Sequence, residues 1–85
     1  MATRREPVVD VLVTSASQVV YRGAASSVVF PGEQGTFEVL PLHRPLVSRL
    51  VAGPLIIDQR TVMIRRGVVR VADDTVTAVV EVSGR

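Results

Sequence analysis

Cysteine, tryptophan and lysine are all missing from these 85 residues. Without cysteine there is neither a disulfide nor a thiolate metal site to hold a small fold together, so apolar packing must do it. Only Tyr21, Phe30 and Phe37 are aromatic, too few to build the stacking platforms that grip single-stranded nucleic acid. All ten basic residues are arginine, set against eight acidic ones. The absence of lysine lifts the pI to about 10.4, yet a net charge of +2 falls short of the basic stripe expected of a nucleic-acid binder. No apolar run approaches the roughly 20 residues that span a bilayer. The opening MATRREP leads into an alternating pattern and not into a signal-peptide core. Direct membrane insertion is therefore not expected, and the chain reads as soluble and intracellular.

What the chain has instead is valine, 19 of its 85 residues. Valine's branched Cβ loses χ1 freedom in a helix and packs well on a pleated surface, so this composition favours strands. Apolar residues alternate with period two from end to end, broken at short intervals by turn residues, as in an antiparallel sandwich or barrel. VVDVLV sets Val9, Val11 and Val13 on one face against Val8, Asp10 and Leu12. QVVY forms a strand ending near Gly23, SSVVF one that Pro31 stops, and TFEVL one that points Phe37 and Val39 the same way. Pro41 and Pro45 impose an irregular connection. LVSRLV is a strand or a single helical turn, which periodicity does not decide. LIID, TVMIR, GVVRVA and TVTAVVEV read as a meander, linked at Asp58-Gln59-Arg60, Arg66-Gly67 and Asp73-Asp74, and Val76, Ala78, Val80 and Val82 share a face of the last strand. The expectation is an all-β protein: one domain over residues 1–85, its core about residues 8–82, forming a small β-sandwich of nine to ten short, mostly antiparallel strands in two sheets.

Chemistry is hard to assemble from these residues. His43 is the only imidazole and stands in a proline-flanked loop, with no Gly-x-Ser-x-Gly in the chain; no nucleophile and base are paired, and no catalytic residue is assigned. Asp73 and Asp74 lack a third oxygen ligand at fixed spacing and read as turn formers, so no metal site is assigned. PGEQG lacks the Lys-Ser/Thr of a phosphate loop and leads into a strand, which makes it a tight turn whose Gly32 and Gly35 supply positive φ. No cofactor is expected. Arg65, Arg66 and Arg70 form a modest basic spot, either solvated charge or a site for nucleic acid or another anionic surface. Leu12, Val20, Ile56, Met63, Val68 and Val79 fall on the solvent side of their strands. They are either ordinary isolated surface residues or parts of a docking patch, through which the isolated chain would self-associate.

As an ordered set, five segments resemble the N-terminal β-sandwich of the epsilon subunit of F-type ATP synthases. VLVTSASQVVYRG looks like the family's opening strand pair, with Tyr21 and Gly23 at its aromatic-x-glycine. PGEQGTFEVLPLHRPL resembles its central signature, LVAGPLII its next turn and strand, RGVVRV its glycine-led strand, and TVTAVVE its closing strand. The likeness runs from about Val9 to Glu81. It departs at Leu42 and Arg44, where the family usually has glycine and alanine around the histidine, and at Arg65-Arg66 in place of Ser-Gly. The resemblance implies a non-catalytic central-stalk subunit that joins the gamma subunit to the c-ring and couples ion translocation to ATP synthesis or the reverse. Such a subunit sits peripherally in the F1 sector, on the cytoplasmic face of the bacterial inner membrane. It also implies that Glu33, Gln34, Gly35 and Thr36 meet the c-ring, and that Leu42, His43 and Arg44 meet gamma, with no nucleic-acid partner. Typical members continue into a helical hairpin that restrains hydrolysis. This chain stops at Val82-Ser83-Gly84-Arg85, so that restraint, and the nucleotide site some hairpins carry, are expected to be missing.

Overall fold

A computed structural model describes residues 7–84, and all of their regular structure is β. Eight strands follow one another: β1 (Val9–Thr14), β2 (Val19–Ala25), β3 (Val28–Gly32), β4 (Gly35–Val39), β5 (Leu46–Leu50), β6 (Gly53–Ile57), β7 (Arg60–Ala72) and β8 (Thr75–Val82). Among the described residues no helix is long and apolar enough to cross a membrane. The alternation translates directly into burial. Val9, Val11 and Val13 of β1 point into the core while Asp10 faces out, and Val76, Ala78 and Val80 of β8 do the same against Thr75, Thr77 and Val79. Val82, at the end of β8, shares the stripe but is 38% exposed. Among the described residues valine supplies nine of the sixteen buried apolar ones and no polar side chain is buried with them, so this core carries no hydrogen-bonding debt.

The strands form one continuous ladder in the order β2-β1-β8-β7-β5-β3-β4, with β6 bonded to both β3 and β7. Pairing is antiparallel except between β1 and β8, which run parallel. Since β3 pairs β5, β5 pairs β7, β7 pairs β6 and β6 pairs β3, these four close a ring, and the sheet folds over itself as a β-sandwich.

Three local expectations are corrected. TVMIR and GVVRVA are one strand, not two: β7 runs unbroken through Arg66-Gly67, pairing β6 with its first half and β5 with its second. Gly67 serves close approach and not a turn, since a Cβ there would lie 2.6 Å from the Val79 carbonyl oxygen and 2.9 Å from Val80 Cγ1. The register against β8 slips between Ile64 and Arg66; this bulge lets one strand serve both halves of the sandwich. Pro31 does not stop β3 but lies inside it, opposite Thr36. Its carbonyl accepts from the Val51 amide at 2.9 Å, so its nitrogen also points away from β4, and the missing N–H costs that ladder nothing. Gly32 carries no positive φ; of the two turn glycines only Gly35 does, at +123°. LVSRLV resolves as strand β5, and β2 continues past Gly23 to Ala25.

Candidate functional site

The PGEQG turn is braced from behind. The Glu33 amide donates to the Arg49 carbonyl at 3.1 Å, tying the tip of the β3–β4 hairpin to β5. The Phe37 ring stacks on Phe30 with centroids 5.5 Å apart and lies over Gly32, where a Cβ would come within 2.7 Å of both the ring and the Gly35 carbonyl. Glycine is therefore required at Gly32 by proximity and at Gly35 by conformation. With the backbone held in this way, Glu33, Gln34, Gly35 and Thr36 all project into solvent. An open groove of about 680 Å³ runs beside them, floored by Phe37, Leu46, Val47, Arg49 and Val68.

The second set stands on the proline-braced connection. The His43 amide donates to the Leu40 carbonyl at 3.1 Å and closes a four-residue turn with Pro41 and Leu42 at its centre. Proline fixes a negative φ at the first central position and Leu42 has φ +69° at the second, which is the type II arrangement. His43 Nδ1–H donates to the Arg44 carbonyl at 2.7 Å and folds the ring back onto its own loop. Asp74 ties the loop down: its Oδ1 accepts the Leu42 amide at 2.6 Å. The aspartate itself occupies a two-residue hairpin with Asp73, at φ +52° and +58°, as a type I′ turn requires.

The two sets are not brought together. Arg49, which anchors the turn, and Leu46, which follows the loop, lie near opposite ends of β5. Their β7 partners are Val68 and Val71, with the Asp73-Asp74 hairpin beyond. Counted along β7, Val68 to Asp73 is a separation of about 16 Å. Between them the outer sheet face alternates arginine with apolar residues, in rows Arg22-Leu12-Thr77-Arg70-Val47 and Thr14-Val79-Val68-Arg49. Val68 and Val79 are directly paired and about half exposed, whereas Leu12, Val20 and Ile56 are partly covered. Arg65 and Arg66 converge on one carboxylate, Glu81, at 3.5 Å and 3.1 Å, with Arg70 further along the strand. Among the described residues no three His, Cys, Asp or Glu side chains gather as a metal would need.

Asp74 is the residue that sequence reasoning missed. Its turn position is legible from the Asp-Asp pair, but nothing in the order of residues signals that its carboxylate reaches a backbone amide 32 positions earlier.

The family ATP synthase, Delta/Epsilon chain, beta-sandwich domain matches residues 8–83. An ATP synthase epsilon chain of Leptospira borgpetersenii is 36% identical over 72 residues, covering 80% of this chain and 57% of that relative. One from Acidithiobacillus ferridurans is 35% identical over 81 residues, covering 91% and 57%. The chain thus spans a little over half the length of these relatives. Among solved structures, a chain of the Tetrahymena thermophila mitochondrial ATP synthase central stalk and c-ring superposes with TM-score 0.74 at 15% identity, covering 94% of this chain and 66% of that one. A chain of the Euglena gracilis mitochondrial ATP synthase gives 0.79 at 16%, covering 92% and 53%.

Proposed function

The chain belongs to the ATP synthase delta/epsilon β-sandwich family, and from that membership we propose that it is a non-catalytic rotor component that clamps the gamma subunit to the c-ring. In this reading Glu33, Gln34, Gly35 and Thr36 rest on the polar loops of the ring, and Leu42, His43 and Arg44 hold gamma. Ion-driven rotation then reaches catalytic sites housed in other subunits, with this domain peripheral in the F1 sector on the cytoplasmic face of the membrane. The observation that carries the reading is mechanical: two exposed loops, each pinned by a hydrogen bond from one of its amides, one to the Arg49 carbonyl and one to the Asp74 carboxylate, stand on a β-sandwich with a closed four-strand ring. A close-packed body held at two points moves with both, and loops on such a scaffold can hold partners without doing chemistry. The alternative, an anionic surface binding Arg65, Arg66 and Arg70, draws less support because Glu81 already pairs the first two.

Reconstitution with gamma and c-ring, scored by ion-coupled ATPase activity, tests the proposal. Coupling is expected to require this chain, and Glu33→Trp or Thr36→Trp should loosen attachment to the ring while the domain stays folded. Undiminished coupling in the absence of the chain would refute it. Strongly salt-dependent oligonucleotide binding, lost on charge reversal at the three arginines, would favour the alternative.

A further inference from the structure

Leu42 combines features that the domain's own packing does not explain. It has a left-handed φ of +69°, at the turn position where glycine or asparagine is at home because a Cβ is disfavoured there. Its side chain is 88% exposed, more than that of any other large apolar residue described. Its amide is not free to relax, being held at 2.6 Å by Asp74, and Pro41 before it restricts the turn further. The adjoining Leu40 is 48% exposed, so the tip of the loop is apolar. Strain of this kind persists where the surrounding structure over-determines it, and here the proline, the closing turn bond and the aspartate do so. The net effect is to hold a leucine rigidly outward.

We infer that Leu42 is the anchor of this loop: a preset apolar knob that enters an apolar socket on the gamma subunit, with His43 and Arg44 forming the polar rim. This rests on the rotor reading and adds to it which residue carries the attachment and what chemistry receives it. The conformation is fixed before binding, so little side-chain or loop ordering remains to be lost on docking. A single buried anchor flanked by weaker contacts is the usual distribution of energy in an interface. Arg44, exposed at the rim, governs salt dependence more than affinity.

Three variants of the full chain decide the matter, each measured for melting midpoint and for affinity to purified gamma. Leu42→Gly and Leu42→Asn suit a left-handed turn position and remove the apolar knob. Both are expected to melt higher by about 3 °C and to bind gamma roughly tenfold to a hundredfold more weakly. Leu42→Met, which keeps an apolar side chain of similar size, should bind within about threefold of the parent chain. Opposite movement of stability and affinity is the signature, because a residue that only tolerates its strain would gain stability without losing its partner. Binding of Leu42→Gly within about twofold of the parent overturns the anchor role and leaves the rotor reading standing. Failure of the parent chain itself to bind gamma overturns both.

Discussion

Gly32 and Asp74 define what single residues contribute to the two loops, one by having no side chain and the other by where its side chain goes. At Gly32 the space for a Cβ is already occupied by the Phe37 ring and the Gly35 carbonyl, both 2.7 Å away, and the carbonyl is backbone that cannot swing aside. Gly32→Ala is therefore expected to cost about 2 kcal/mol, read as a lower urea midpoint with an unchanged slope. A loss below about 0.5 kcal/mol would mean that the hairpin relaxes freely and is not the stiff support described. Asp74 acts at a distance. Asp74→Gly keeps the left-handed backbone of the hairpin and removes the acceptor that holds Leu42. Amide exchange at Leu42 and His43 should accelerate while core amides such as Val76 stay protected. Equal protection in both proteins would show that the prolines alone hold the loop.

At the scale of elements, β7 decides the architecture. Arg65 is the extra residue of its bulge: Ile64 pairs Val82 and Arg66 pairs Glu81, leaving Arg65 without a partner in the ladder. Deleting Arg65 makes the register against β8 regular and leaves Ile64, now 1% exposed, on the core face, but it moves residues 60–64 by one against β6, whose pairing with β7 continues that of β5 without a slip, so the faces of the two strands no longer match. The deletion should cost at least about 3 kcal/mol or prevent folding. Glu81→Gln, which only weakens two half-exposed ion pairs, should cost less than about 1 kcal/mol. Chemical denaturation of the two variants side by side checks the ranking, and a mild deletion would mean that the bulge is incidental. The same element marks the limit of what the sequence tells. Strand faces were legible wherever a long stripe alternates, as at Val9, Val11 and Val13 or Val76, Ala78 and Val80, because burial on one side imposes period two. Arg66-Gly67 reads as a turn because glycine after charge usually is one, and only the β8 backbone 2.6 Å away reveals that glycine is there for proximity. Pro31 likewise reads as a stop, since which way its nitrogen points depends on which neighbour the strand acquires. Both misreadings concern contacts between distant segments. The turn at residues 33–36 was legible because its chemistry is local, whereas the brace on Leu42 was not.

For the whole molecule the question is how two loops, whose supports stand about 16 Å apart along β7, would act together in the proposed role. Their supports differ: Glu33 is tied to Arg49 of β5, and Leu42 to Asp74 beyond the end of β7. Sites this far apart with no shared partner perturb binding independently, within about 0.5 kcal/mol. In pairwise assays Thr36→Trp should therefore weaken only ring attachment and Leu42→Gly only gamma attachment, and the double variant should show both losses unchanged in size. Coupled turnover should behave differently. Under the proposed rotor function, torque would pass through the ring contact, the sandwich and the gamma contact in series, so the weaker contact would limit the whole. The double variant should then couple about as well as the worse single variant, and not at the product of the two losses. Ion-gradient-driven ATP synthesis in reconstituted vesicles, measured for the parent chain and the three variants, separates these outcomes. Multiplied losses would mean that each loop contributes to a shared step, so that the sandwich is an active participant and not a rigid spacer between two contacts.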